Sequence, residues 1–334
     1  MYWKSSFVLL TMIVSTRAET NICECPNGNP TTGDKCENGD VWQNWHCKSC
    51  KYGYLLDDYI CRACEAGKFQ DQDPNTEDYD SCQPCPEDQG SPEGSRRCSR
   101  FAPMHKDELK SAVTACLDED ATGECVQHQK THAKIGGWDV SKVTNMDSLF
   151  DDASDFNGDI SKWNVAKVTD MRKMFDGASD FNGDISKWNV ASVTNMRYMF
   201  AQAYNFNGDI SNWNVGEVTD MSHMFNYAHE FNGDISKWNV ASVTDMSGMF
   251  NYAEDFNGDI SKWNVISVTD MSEMFNSVYN FNGDISNWDV AKVTKMREMF
   301  GSAANFNGDI SKWDVAKVTD MSEMFNYATK FNRD

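Results

Sequence analysis

Residues 181–190 read FNGDISKWNV, and this stretch recurs along the second half of the chain. It returns unchanged at 156, 231 and 256, and near-copies at 206, 281 and 306 exchange only Lys for Asn or Asn for Asp. The tryptophans of this region recur every 25 residues, at Trp138, Trp163, Trp188, Trp213, Trp238, Trp263, Trp288 and Trp313. A fixed period of this size is typical of a solenoid or a propeller, and a propeller blade needs about 40 residues or more. The period therefore predicts a solenoid.

We number each repeat from the phenylalanine of FNGD, which takes position 1. The first repeat, 131–155, lacks FNGD and is aligned by Trp138 at position 8. The others span 156–180, 181–205, 206–230, 231–255, 256–280, 281–305 and 306–330. In the third repeat, Trp188 and Val190 flank a polar residue at positions 8 and 10, which is the period of a β-strand. The apolar residues of 193–203 follow a three-and-four spacing, and Thr194 stands where an N-cap would. The sequence predicts an α/β repeat solenoid in which each repeat has a short parallel strand and a helix of about two turns.

The apolar columns are interpreted as core rather than as a cofactor site. A Trp or Phe side chain buries roughly 150–250 Å², which corresponds to about 4–6 kcal/mol of gross stabilisation. One repeat cannot bury its own apolar face, whereas stacked repeats can.

The pattern VTxMxxMFxxAxxFNGDISxWxV closely resembles the BspA-type leucine-rich-repeat surface proteins. The residues that carry the resemblance include Val168, Thr169, Met171, Met174, Phe175, Ala178, Phe181, Asn182 and Trp188. The resemblance implies a right-handed, leucine-rich-repeat-like solenoid, a secreted or surface-bound protein of adhesion or recognition, and no enzymatic activity. No cell-wall sorting motif or lipobox cysteine follows the N-terminal segment.

The first 18 residues are predicted to be a signal peptide, because Lys4 precedes a short apolar run and a small-residue cleavage site follows at Ala18. No later segment is apolar enough to cross a membrane. The expected location is secreted, extracellular or at the cell surface. The formal net charge of −21 argues against nucleic acid or an anionic membrane as a partner.

Residues 19–100 are predicted to form a disulfide-rich module. All 12 cysteines lie between Cys23 and Cys125, and an even number in a secreted chain favours disulfides over zinc. The spacing of the cysteines in this block resembles EGF-like and ephrin-receptor-like modules. Residues 101–130 are predicted to be a helical N-terminal cap for the array of 131–334. Cys116 and Cys125, nine residues apart, are expected to form a disulfide behind the helix.

Two surface regions are candidates for ligand binding. The first, the strand-face strip, combines the residues of positions 7 and 9, and its regularity suits a polysaccharide or another repeating ligand. Its members are Lys162, Asn164, Lys187, Asn189, Asn214, Lys237, Asn239, Lys262, Asn264, Asp289 and Asp314. The second is a tyrosine patch, because exposed tyrosines are enriched at interfaces. Its members are Tyr198, Tyr204, Tyr227, Tyr252, Tyr279 and Tyr327.

The polar columns at positions 2 and 4 are also regular. Asn at position 2 is predicted to satisfy the backbone of the neighbouring turn and so to form a structural ladder. The aspartates of position 4 are expected to point into solvent, to accept hydrogen bonds from the N–H groups of turns, or to pair with the lysines of position 7. Alternatively, they bind a row of calcium ions. They are Asp159, Asp184, Asp209, Asp234, Asp259, Asp284 and Asp309. No other metal or cofactor is expected.

Catalysis has no support, since the six histidines are scattered and form no Cys/His, Ser/His/Asp or HExxH arrangement. The sequence predicts a non-enzymatic binding or adhesion protein that recognises a polysaccharide or protein ligand. The alternative is a matrix or cell-covering component that assembles end to end. The repeat pattern runs to the final FNRD with no visible cap, so self-association through that end is expected.

Overall fold

The computed structural model describes residues 101–125, 132 and 134–332, together with the backbone of six short strands closer to the N-terminus. The signal peptide predicted for 1–18 and the disulfides predicted within 19–100 lie outside the described residues.

The six strands form three antiparallel pairs. Strand β1 pairs with β2, β3 with β4, and β5 with β6. Their bounds are β1 Gly28–Pro30, β2 Cys47–Cys50, β3 Tyr54–Asp57, β4 Ile60–Ala63, β5 Lys68–Phe69 and β6 Gln83–Pro84.

Helix α1 spans Lys106–Glu119 and packs by one face against the repeats. Asp107 and Glu108 lie in its first turn, where acidic side chains complement the helix dipole. Leu109, Ala112, Val113 and Cys116 form its buried face. Cys116 is joined to Cys125 by a disulfide. A single 3-10 turn, Ile135–Gly137, then leads into the first tryptophan of the array.

The repeats stack as coils that are held together by backbone hydrogen bonds between consecutive copies. Equivalent residues at position 15 form parallel bridges, from Asn145↔Asp170 through to Lys295↔Asp320. Beyond each bridge, the N–H groups of positions 16, 18, 20 and 22 donate to the carbonyls of positions 15, 17, 19 and 21 of the next repeat. In the second repeat these donors are Met171, Lys173, Phe175 and Gly177, with N–O distances of 2.8–3.0 Å. Every described interface between coils therefore uses the same rungs.

The strand and helix predicted within each repeat are both wrong. Residues 134–332 contain no α-helix, and their β structure consists of single bridges at position 15 rather than strands at positions 8–10. The predicted helical segment is a series of tight turns, closed for example by Met199 N–H to the Met196 carbonyl and Ala203 N–H to the Phe200 carbonyl. Positions 18 and 22 have positive φ throughout the array, which an α-helix cannot accommodate.

The threonine predicted as a helix N-cap has another role. Thr194 donates both its backbone N–H and its hydroxyl to the carbonyl of Thr169, the same position of the preceding repeat. The two bonds repeat from coil to coil along position 14, so this column adds a rung beside each bridge. Right-handedness and the leucine-rich-repeat class stay predictions.

Two phenylalanine columns and one tryptophan column pack with buried Met, Val and Ile columns to form the core. Phe175 stacks on Phe181 at 3.9 Å between ring centroids and on Phe200 of the next repeat at 5.6 Å. The indole of Trp188 is buried and donates its N–H to the carbonyl of Ile160, 28 residues earlier. The same bond recurs down the column, so each tryptophan joins two repeats by burial and by a hydrogen bond.

The two ends of the stack differ. In later repeats, the carbonyl of position 19 accepts a backbone N–H of the preceding coil. In the first repeat this carbonyl belongs to Leu149, and it accepts the ammonium group of Lys110 in α1 at 3.0 Å instead. Lys106 also forms an ion pair with Asp147. In the last repeat Met321 is 40% exposed, although its equivalent Met296 is fully buried. Among the described residues, the backbone N–H groups of positions 16, 18, 20 and 22 in that repeat have no acceptor.

Candidate functional site

The strand-face strip lies on the surface, but its position-9 side chains also have a structural role. All eleven of its residues are exposed. Asn189 Oδ1 accepts the backbone N–H of Ala191 at 3.2 Å, and Asp289 Oδ1 does the same for Ala291 at 3.1 Å. These are Asx turns, in which a side chain supplies the acceptor that the turn needs. The turn alone therefore explains why position 9 is always Asn or Asp. Where the residue is Asn, as at Asn189, the side-chain nitrogen remains for a ligand.

The aspartates of position 4 cap turns in the same way. Asp184 Oδ1 accepts both the N–H and the hydroxyl of Ser186, at 3.0 and 2.7 Å. The hydroxyl bond first, and the backbone bond second, lower the pKa of Asp184 below its ordinary value. The pKa falls for the same reason at Asp159, Asp209, Asp234, Asp259 and Asp284. In residues 101–125 and 134–332, no three acidic, His or Cys side chains group as a metal site. A calcium ladder stays a prediction.

The tyrosine patch is divided among three rows of the surface, at positions 18, 22 and 24. At position 18, Tyr198 stacks on His223 at 4.6 Å, and burial lowers the pKa of that histidine. At position 22, Tyr227 and Tyr252 stack at 4.4 Å. Tyr327, further along the same row, is 76% exposed.

The tyrosines of position 24 form a different edge. Tyr204 and Tyr279 are 37% and 41% exposed. Tyr204 stacks on His229, the next residue of its row, at 5.1 Å. The six predicted tyrosines are therefore not one continuous surface.

The predicted asparagine ladder at position 2 is confirmed. Asn207 Oδ1 accepts the backbone N–H of Asn232 at 3.0 Å, and Asn232 Oδ1 accepts that of Asn257 at the same distance. The rungs continue from Asn157 to Asn332. Because each side-chain oxygen is used in the ladder, the hydrogen-bond pattern fixes the orientation of every amide.

A groove that the sequence reasoning missed runs beside this ladder, and we call it the amide groove. Its two sections meet at Asn280 and have volumes of about 500 and 570 Å³. One wall is the ladder and the other is the row of position 25. The first section is lined by Asn207, Glu230, Asn232, Asp255, Asn257 and Asn280. The second is lined by Asn280, Asn282, Asn305, Asn307 and Lys330.

Bonds between repeats order the position-25 wall. Asn280 donates its amide N–H to Asp255 at 3.2 Å, and Lys330 donates to Asn305 Oδ1 at 2.6 Å. The residue type changes along this row, from acid to amide to lysine, so no repeating pattern marked it as a site.

The helices of the described residues include none long and apolar enough to span a bilayer.

Coils that stack through identical rungs define a tandem-repeat protein. The family model described as Mycoplasma protein of unknown function, DUF285, matches residues 123–236, 208–290 and 259–334, which together exceed half of the chain. The chain belongs to this family. The family is consistent with a repeat surface protein of the BspA-like type, and the match does not extend to 19–100. No curated protein matches the chain, and no solved structure does.

Proposed function

We propose that the protein is a non-enzymatic binding protein of the cell exterior, which uses its array for adhesion to, or recognition of, an extracellular polysaccharide or protein. The observation that carries this proposal is the repetition of exposed polar groups at the same place in consecutive coils, held by side-chain to backbone bonds such as that of Asn189. A ligand with a repeating structure can meet several equivalent groups at once.

Repetition raises affinity without any single strong contact. When one ligand unit is bound, the next is held close to an equivalent group, and the second contact is favoured by its high effective concentration. Membership of a repeat family consistent with surface proteins supports the same function.

The proposal is tested with the full chain, immobilised and exposed to intact cells, polysaccharides and matrix proteins. We expect capture of at least one ligand, with an affinity that grows with ligand length. Lys187→Gln together with Lys237→Gln tests the strand-face strip, because these exposed lysines can lose their charge without disturbing a turn. The absence of binding to every cell type and polymer would contradict the proposal.

End-to-end assembly is the second candidate function. Its support is the edge that each coil presents to its neighbour, because the N–H groups of positions 16, 18, 20 and 22 donate to the carbonyls of an equivalent coil at every described interface. Such an edge is complementary to another coil of the same kind, whichever chain supplies it. Sedimentation that changes with protein concentration would support assembly, and a constant monomer mass would oppose it.

A further inference from the structure

We propose that the amide groove binds a neutral glycan chain, which lies lengthwise across the stacked repeats. This inference rests on the proposed binding function and assigns it a site and a ligand class. The site is distinct from the strand-face strip, because it is formed by positions 2 and 25 rather than 7 and 9.

The ladder wall presents a row of fixed donors. The side-chain oxygen of each position-2 asparagine accepts the N–H of the next, so the amide nitrogen is left to face outward. The nitrogens of Asn207, Asn232 and Asn257 have no acceptor among the described residues, and all three side chains are exposed. Sugar hydroxyl and ring oxygens are suitable acceptors for such a row.

The opposite wall supplies acceptors. Glu230 and Asp255 line the first section of the groove, and carboxylates accept hydrogen bonds from hydroxyl groups more strongly than neutral oxygens do. This section has no lysine or arginine in its lining, so it offers an anionic polymer no compensating charge. Donors on one wall and acceptors on the other favour an uncharged ligand rich in hydroxyl groups.

Aromatic residues directly precede the position-25 residues of the groove in the chain. Tyr204, His229 and Tyr279 occupy position 24, directly before the residues of the position-25 wall. Tyr204 and His229 stack on each other, and Tyr204 and Tyr279 remain more than a third exposed. A flat aromatic face gives apolar contact area at low conformational cost, and the C–H face of a pyranose ring is a suitable partner for it.

The dimensions favour a chain over a single sugar. From Asn207 to Asn307 the ladder crosses four steps between repeats, and parallel strands lie about 4.8 Å apart, so the groove is roughly 20 Å long. Each repeat presents its position-2 amide at the equivalent place on the coil. A polymer whose repeat matches the coil spacing, or a multiple of it, can bond to several amides at once.

The experiment compares two double variants of the full chain. Asn207→Asp with Asn257→Asp keeps the ladder oxygen, removes two groove donors and adds two charges. Lys167→Gln with Lys292→Gln changes the net charge by the same amount at two exposed positions that lie outside the groove, the strand-face strip and the tyrosine patch. Calorimetry with neutral gluco-, manno- and xylo-oligosaccharides of two to eight units measures affinity, with hyaluronan as the anionic probe.

We expect affinity for at least one neutral series to rise with length, to fall about tenfold or more in the groove variant, and to stay within about twofold in the lysine variant. Tyr204→Ala with Tyr279→Ala should also weaken binding, whereas Tyr204→Phe with Tyr279→Phe, which keeps both rings, should not. Equal thermal unfolding of all variants establishes that folding is unchanged.

Two results would overturn the inference. If the chain binds a neutral oligosaccharide with an affinity that the groove variant leaves unchanged, or binds only hyaluronan, a cell surface or a protein, the groove is not the site and the binding function stands. If the unmodified chain binds no oligosaccharide, polymer or cell, both the groove and the proposed function fail.

Discussion

A single asparagine can hold two neighbouring coils together while it presents a group to solvent. Asn182 Oδ1 accepts the N–H of Asn207 at 3.1 Å, and the rest of the amide is exposed. The stabilising atom and the atom available to a ligand are therefore different atoms of one side chain. Aspartate preserves the first and removes the second, whereas alanine removes both.

Asn182→Ala is expected to lower the free energy of unfolding by about 1 kcal/mol, because one backbone donor loses its acceptor at an exposed site. Asn182→Asp should cost less than about 0.5 kcal/mol in high salt, where the added charge is screened. Urea unfolding of the three proteins measures the difference. An equal loss in both variants would mean that the ladder bond contributes nothing.

Asp147 joins helix α1 to the first two repeats. It accepts hydrogen bonds from Lys106 and Arg172, at 2.9 and 3.1 Å. Burial raises the pKa of Asp147, but these two bonds outweigh it and the pKa falls to about 2. The folded-state pKa is thus below the value of about 3.9 of an unfolded aspartate.

Because its pKa is depressed on folding, Asp147 stabilises the protein above about pH 4, and this contribution disappears as the pH falls towards 2. Asp147→Asn should lower the free energy of unfolding by about 1–2 kcal/mol at pH 7, since partly exposed partners are screened, and by little at pH 2. Denaturant titrations between pH 7 and pH 2 measure the difference. Asp118→Asn, at an exposed position of α1, is the control. A pH-independent difference would contradict the assignment.

At the scale of the element, the coil is built from turns that require left-handed residues. Gly177 and Gly248 occupy these positions in two repeats, with φ of 73° and 58°. Elsewhere a residue with a Cβ adopts the same backbone, as Gln202 does with φ of 54°. For most L-residues this conformation costs roughly 1–2 kcal/mol, which the inter-coil hydrogen bonds offset.

Gln202→Gly should therefore stabilise the protein or leave it unchanged, although glycine usually destabilises a folded chain by about 0.5–1 kcal/mol. Gln202→Val should destabilise it by about 1–2 kcal/mol, since a β-branched residue is a genuine outlier at positive φ. Glu217→Gly, at an exposed position whose φ is not positive, is the matched control and should destabilise. Chemical denaturation gives the ranking, and a destabilising Gln202→Gly would contradict the turn assignment.

The sequence predicted the stacked columns and the asparagine ladder, because both recur at every period. It did not predict the turns. Turns that close over three residues, such as Met199 to Met196, bury apolar side chains at the same three-and-four spacing as a helix. Gly177 and Gly248, at left-handed positions, could have indicated the turns. Because they occupy different positions in different repeats, they form no repeating column. The amide groove was missed because one of its walls varies from Glu230 to Lys330.

At the scale of the whole molecule, the array is one-dimensional. Each repeat contacts its two neighbours through the same rungs, so its stability is a sum of repeat and interface contributions. Removal of one complete repeat leaves the surrounding interfaces equivalent to those already present. Removal of half a repeat leaves the next coil without half of its partners.

Deletion of residues 206–230 is expected to give a folded, cooperative protein whose denaturant m-value is reduced by roughly an eighth of the array's contribution. Deletion of residues 206–217 should destabilise the array severely, because the remaining half-coil cannot pair. Circular dichroism and urea unfolding of both proteins test this. Loss of folding in the complete-repeat deletion would contradict the nearest-neighbour description.

The tryptophan column has an optical consequence. Indole rings of consecutive repeats lie nearly parallel at 6.4–6.5 Å where Trp263, Trp288 and Trp313 follow one another. Chromophores this close exchange excitation energy before they emit, so light absorbed in one coil can be emitted from another several coils away. Because the rings are nearly parallel, this transfer along the stack leaves the polarisation of the emitted light largely unchanged.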